Sequence, residues 1–110
     1  MSDPRPEISL YKIDEAKLGG YLLSLHHTQG ASKAALFLAH NFDVESLGTT
    51  LLRHALSAEW HSTRVRPFGY LFEVRGGVLT PINRGLDLRA VWAVDNDDPT
   101  TARFVTAYPT

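Results

Sequence analysis

The chain has 110 residues, a formal net charge of −1, 44% hydrophobic residues and no cysteine. That length makes one domain with a core that needs no metal or disulfide, and the lack of cysteine excludes disulfide frameworks, thiol nucleophiles and cysteine-ligated zinc. Near-balanced charge excludes a strongly basic, non-specific nucleic-acid binder; no apolar run is long enough to span a membrane, and the opening "MSDPRPEISLY" has no signal-peptide pattern.

Residues 1–12 are expected to form a flexible arm, polar and proline-bearing, and residues 13–110 a single domain. "DEAKLGGYLLSL" predicts a first helix over 14–24, with Asp14 as its N-cap and Gly19 and Gly20 as weak points. "HHTQGA" reads as loop. Ser32 is placed to cap a second helix over 32–42, with Lys33 in its first turn. Asp43 is placed to cap a third over 44–59, where Leu47, Leu51, His54 and Ala58 share one face.

After Trp60 the period changes to two. "GYLFEVR" alternates, Gly76-Gly77 reads as a hairpin turn, and Pro81 makes "VLTPI" an edge or broken strand. "LDLRAVWAV" puts Leu86, Leu88, Ala90, Trp92 and Val94 on one face and Asp87, Arg89, Val91 and Ala93 on the other. In the last strand, "RFVTAYPT", strict alternation puts Phe104, Thr106 and Tyr108 on a single face. The expected fold is α+β: about three N-terminal helices packed on a four-stranded antiparallel sheet over residues 69–108.

Six arginines and three acids lie between Arg53 and Arg89, a local excess of three positive charges. Read one way this is a solvated surface. Read the other it is an anion site, since the arginine fork suits phosphate. The five histidines are His26, His27, His40, His54 and His61, and none shows a zinc-helix spacing, so no metal is expected. "HHTQGASKA" sets His27 and Lys33 around a helix N-terminus, which is either an anion site or an ordinary cap with exposed histidines. His54 is either a core-edge histidine with one hydrogen bond or a catalyst. No nucleophile elbow, P-loop or dinucleotide fingerprint occurs.

"KLGGYLLSLHHTQGASKAALFLAHNF", "LLRHAL", "FGYLFEVRGGVLTPINRGLDLRAVWAV" and "RFVTAYP" together resemble a bacterial family of small toxin-associated domains of unknown function, in matching order across residues 17–109. One turn departs from the usual glycine-arginine pattern and reads Asn83-Arg84-Gly85. The closing Thr-x-Tyr strand and the helices-then-sheet order also resemble the barnase–EndoU–colicin–RelE (BECR) ribonuclease toxins. That second resemblance implies metal-independent, cofactor-free RNA cleavage by attack of the ribose 2′-OH on the adjacent phosphate. It implies Thr106 and Tyr108 at the scissile phosphate, His27 or His54 as base or acid, Lys33 for charge stabilisation, and Arg84 and Arg89 for substrate binding. The implied partners are RNA, such as a tRNA, and a cognate immunity or antitoxin protein, with no membrane. The implied place of action is the bacterial cytoplasm, freestanding or as the C-terminal part of a larger effector. The alternative reading is a non-enzymatic immunity or antitoxin-like binding module, with the sheet as docking face and the histidines incidental.

Overall fold

A computed structural model describes residues 8–19 and 31–109. The elements run β1 (Leu10–Lys12), α1 (Glu15–Lys17), α2 (Ala31–Ala39), α3 (Val44–Ser57), β2 (Glu59–Arg66), β3 (Gly69–Leu79), β4 (Gly85–Asp95) and β5 (Asp98–Pro109). They form one five-stranded sheet in the order β1-β5-β4-β3-β2. Strands β2 to β5 pair antiparallel with their neighbours, and β1 pairs parallel with β5, Leu10 opposite Thr101.

This corrects the expectation of three helices on a four-stranded antiparallel sheet. The sheet is mixed and larger, and of the helix expected over 14–24 the described residues hold α1 and the helical residues that follow it to 19, residues 20–24 lying outside the described residues. Each difference has a physical cause. Leu10–Lys12, counted with the arm in the sequence reading, form a strand because Tyr11 turns inward and meets Trp92 edge-on, ring centroids 5.2 Å apart. Their partner strand lies some ninety residues away, beyond any local pattern. Gly76-Gly77 is no hairpin: β3 runs straight through it, and Gly76 lets α3 approach, since a Cβ there would sit 3.1 Å from the Ala58 Cβ. The hairpin follows at Thr80–Arg84. There the Asn83 N–H donates to the Thr80 carbonyl and the Thr80 N–H to the Arg84 carbonyl, both at 2.9 Å, and Asn83 takes the left-handed conformation (φ 60°). The third expected helix stops at Ser57, and Glu59–Arg66 become β2.

Two helix termini are built as their sequences dictate. At α3, Asp43 Oδ1 accepts from the Ser46 N–H at 2.7 Å while the Asp43 N–H donates to Ser46 Oγ at 2.9 Å, a reciprocal capping box that holds the Asp43 carboxyl below its usual range. At α2, Asn41 (φ 64°) ends the helix. Its N–H donates to the Leu38 carbonyl and the Phe42 N–H to the Phe37 carbonyl, at 2.9 and 3.1 Å. The Phe37 and Phe42 rings pack edge-on at 5.9 Å, the hydrophobic contact of a Schellman stop.

Phe37, Leu47, Leu51 and Ala55 from the helices join Phe72, Val74, Leu88, Trp92 and Phe104 from the sheet in one buried cluster. Both helices therefore cover the same face of the sheet.

The turn between β2 and β3 depends on Gly69 (φ 158°), where any Cβ would overlap the Val94 carbonyl oxygen. Gly69→Ala is expected to lower stability by roughly 1–3 kcal/mol, as overpacking does. Gly85→Ala, with nothing within 4 Å of the new methyl, should leave the denaturation midpoint nearly unchanged. Equal losses in the two variants would refute this account.

Candidate functional site

The alternation of buried and half-exposed residues divides the sheet. Phe72 and Val74 of β3, with Leu88, Ala90, Trp92 and Val94 of β4, face the helices. The opposite face carries Arg64 of β2, Leu71, Glu73 and Arg75 of β3, and Asp87, Arg89 and Val91 of β4, matched across the strands by register.

Strand β5 joins that face through a β-bulge. Its register steps from Trp92 opposite Phe104 to Val91 opposite Thr106, so Val105 is an extra residue. One inserted residue reverses the facing of everything beyond it. Phe104 packs into the core against Trp92, ring centroids 5.4 Å apart and nearly perpendicular. Thr106 and Tyr108 turn to the open face, Tyr108 opposite Arg89. The single face expected for Phe104, Thr106 and Tyr108 is thus split, with the phenylalanine on one side and the two hydroxyls on the other.

A polar cluster results on the open face. Arg75 and Arg89 are register partners, and like charges placed directly opposite repel. Glu73 lies between them: Arg75 Nε donates to Glu73 Oε2 at 3.0 Å, and Arg89 Nε lies 3.4 Å from Oε1 in an ion pair without hydrogen-bond geometry. The Arg89 guanidinium sits 5.2 Å from the centre of the Tyr108 ring, a cation–π contact. Glu73 is 15% exposed and the arginines two to three times more. One carboxylate thus serves two guanidiniums at contact distance, beside a threonine and a phenol. Glu59 and Asp87 share this face as exposed rim acids. Such an arrangement can bind an anion, accept a proton at Glu73 and stabilise negative charge that develops nearby.

His54 lies on the other side of the sheet. It is 1% exposed on α3, and its Nε2 is 3.0 Å from the Leu88 carbonyl, so Nε2–H donates and ties the helix to β4. Nδ1 has no partner. Burial holds the His54 pKa below 6.5, opposed by the carbonyls of Leu88 and Gly76.

The structure therefore gathers Thr106, Tyr108 and Arg89 and leaves His54 behind the sheet. Arg84 is exposed at the end of the β3–β4 turn, its N–H donating to Thr80 Oγ1 at 3.3 Å. It lies five residues from Arg89, about 16 Å along a strand. Lys33 falls in the first turn of α2, and His27 lies outside the described residues. Of the other histidines, His40 Nδ1 is 2.9 Å from the Leu36 carbonyl and His61 is exposed on β2. Among the described residues no group of three His, Asp or Glu side chains could hold a metal ion, and no helix is long and apolar enough to cross a membrane. Sequence reasoning passed over Glu73 and Arg75. Their signal was the alternation in "LFEVR", which sets both on one face, but only strand pairing brings that face to Arg89.

Residues 5–110 match a family described as a domain of unknown function, DUF6883. No curated protein matches. Among solved structures, the fold is similar to a chain of a contact-dependent growth inhibition toxin–immunity protein complex from Klebsiella pneumoniae 342. That likeness has a TM-score of 0.72 and 14% identity, and covers 89% of this chain and 92% of the other.

His54 sets a pH limit on the fold. With its folded pKa below the free value of 6.5, the unfolded chain binds the proton first as pH falls, so the histidine's contribution is complete above pH 6.5 and lost below it. Wild-type melting temperature is expected to drop as pH falls through and below 6.5. His54→Gln, which keeps a donor for the Leu88 carbonyl, should flatten that part of the curve. An unchanged slope in the variant would show that other groups set it.

Proposed function

Since this chain belongs to the DUF6883 family, a domain of unknown function, and shares its fold with a chain of a growth-inhibition toxin–immunity complex, we propose that it serves in a toxin–immunity system as a metal-independent ribonuclease. The observation that carries this reading is the half-compensated arginine pair of the open face, Arg75 and Arg89 sharing Glu73 beside Tyr108. Its residual positive charge at contact range is where a phosphate would sit.

Glu73 would take the proton of a ribose 2′-OH. The O2′–P bond then forms and the P–O5′ bond breaks, giving a 2′,3′-cyclic phosphate and a 5′-hydroxyl. Arg75 and Arg89 would neutralise the extra charge of the phosphorane, and Thr106 would donate to a non-bridging oxygen. The proton for the leaving 5′-oxygen would come from Tyr108 or His27. Lys33 and Arg84 would contribute to charge stabilisation and to RNA binding away from the reacting phosphate. The near-zero net charge suits one structured RNA read by shape, such as a tRNA, better than any RNA. The site of action on this reading is the bacterial cytoplasm, with a cognate immunity protein as counterpart.

A specific observation favours the second reading, a non-enzymatic immunity or antitoxin-like module. His54 is separated from Thr106 and Tyr108 by the sheet, and Arg103 of β5 is already held by Asp95 through two bonds of 3.0 Å. The one-to-one Arg103–Asp95 pair leaves that arginine without charge to spare for a phosphate, and such paired charges suit protein docking.

The experiment is cleavage of tRNA and total RNA in EDTA, with melting temperature measured for each variant. Glu73→Gln and Tyr108→Phe are expected to slow cleavage about 10²–10⁴-fold. Arg89→Ala and Thr106→Ala should cost about 10²–10³-fold. His54→Gln should cleave at the wild-type rate. Intact RNA with wild-type protein, combined with tight binding of a toxin, would replace the enzyme by the binding module.

A further inference from the structure

Strand β2 closes one end of the sheet, with β3 on one side and, among the described residues, no strand on the other. Half of its backbone N–H and C=O groups therefore point outward, a template for another strand. Edge strands are commonly blunted by brevity or by lying under other structure. At the far end of this sheet β1 is three residues long, whereas β2 has eight and exposes Val65 to 83%.

Among the described residues, no helix covers the helix-side face next to this edge, where a groove lies. Contact of α3 with the sheet centres on Gly76 and Leu88, where Ala58 and His54 approach. Beyond it the aromatic floor continues outward: Trp60 stacks on Phe72 at 4.6 Å and 14°, with Tyr70 alongside. Trp60, Thr63, Val65, Tyr70 and Asn96 line a groove of about 470 Å³, with Arg66 at its end. Register confirms the side, because Thr63 and Val65 pair with Phe72 and Tyr70.

The opposite side of the same edge is cationic. Arg64 and Arg66 alternate with Thr63 and Val65. Among the described residues neither has a carboxylate within 4.0 Å, whereas Arg75, Arg89 and Arg103 each have one. Unmatched charge therefore collects at the open edge.

We infer that β2 is a docking edge for an extended segment of a partner protein that alternates apolar and acidic residues. The segment would add as a sixth strand. Its backbone would pair with β2, its apolar side chains would fill the groove between Trp60, Val65 and Tyr70, and its carboxylates would meet Arg64 and Arg66. Main-chain pairing supplies affinity in such additions, and the alternate side chains supply specificity. The inference stands whether or not the open face cleaves RNA, since no residue of the groove belongs to the Glu73–Arg89–Tyr108 cluster.

The probe is a synthetic peptide as long as β2, alternating valine and glutamate, and a second with lysine in place of glutamate. The acidic peptide should shift the amide NMR signals of residues 59–66 and the fluorescence of Trp60. The exposed double substitution Arg64→Glu with Arg66→Glu should weaken it on the order of tenfold or more, and binding should fall with added salt. The same variant should gain affinity for the lysine peptide, which shows that it is folded and that charge sets the choice. Unmoved β2 amides would overturn the proposal, as would equal affinity of wild type for both peptides. Concentration-dependent dimerisation through β2 that excludes the peptide would overturn it in favour of a second copy of this chain.

Discussion

Everything else in this molecule follows from how closely α3 lies on strands β3 and β4. Gly76 has no side chain, so Ala58 and His54 come down onto the sheet, and His54 donates to the Leu88 carbonyl. That contact decides which face of the sheet is core and which is free. A buried imidazole with an unpartnered Nδ1 costs desolvation. Its return is a directional tie between helix and strand that dispersion forces do not provide. The histidine thereby positions the helix on the strand.

With one face assigned to the helices, the β-bulge at Val105 assigns the rest. Without the extra residue Thr106 would share the core side with Phe104, and a hydroxyl would need a buried partner. With it, Phe104 completes the aromatic run Tyr11–Trp92–Phe104, while Thr106 and Tyr108 stand beside Arg89. Bulges recur where a strand must re-aim side chains at a functional site. Here the re-aimed residues are the hydroxyl-bearing Thr106 and Tyr108, set on the face that carries Arg89.

The charges of the sheet sort by position. Arginines in its middle are held: Arg75 and Arg89 by Glu73, Arg103 by Asp95. Among the described residues, those on the edge strand have no carboxylate partner. Exposed ion pairs contribute little stability, so this sorting bears more on recognition than on folding. On the proposed readings, the centre of the open face would take a compact anion and the edge an acidic strand.

Much of the fold's local grammar was legible in the residues. Asp43 caps α3, the apolar stripe Leu47–Leu51–His54 turns inward, and the alternation of residues 86–94 gives the buried face of β4. These are decided within one element, by side-chain period and by backbone groups needing partners nearby. What crossed between elements was not legible. Gly76-Gly77 signals a turn on its own and serves helix contact in the fold, and β1 takes its place only because β5 offers it an edge. Glu73 and Arg89 become neighbours through strand register. A single inserted residue at Val105 separates Phe104 from Thr106 and Tyr108, since facing alternates with period two and one extra residue inverts it. The sequence by itself determined which residues could be polar neighbours on each strand. Only the tertiary structure decided which strands meet, on which side of the helices, and so which of those residues stand together.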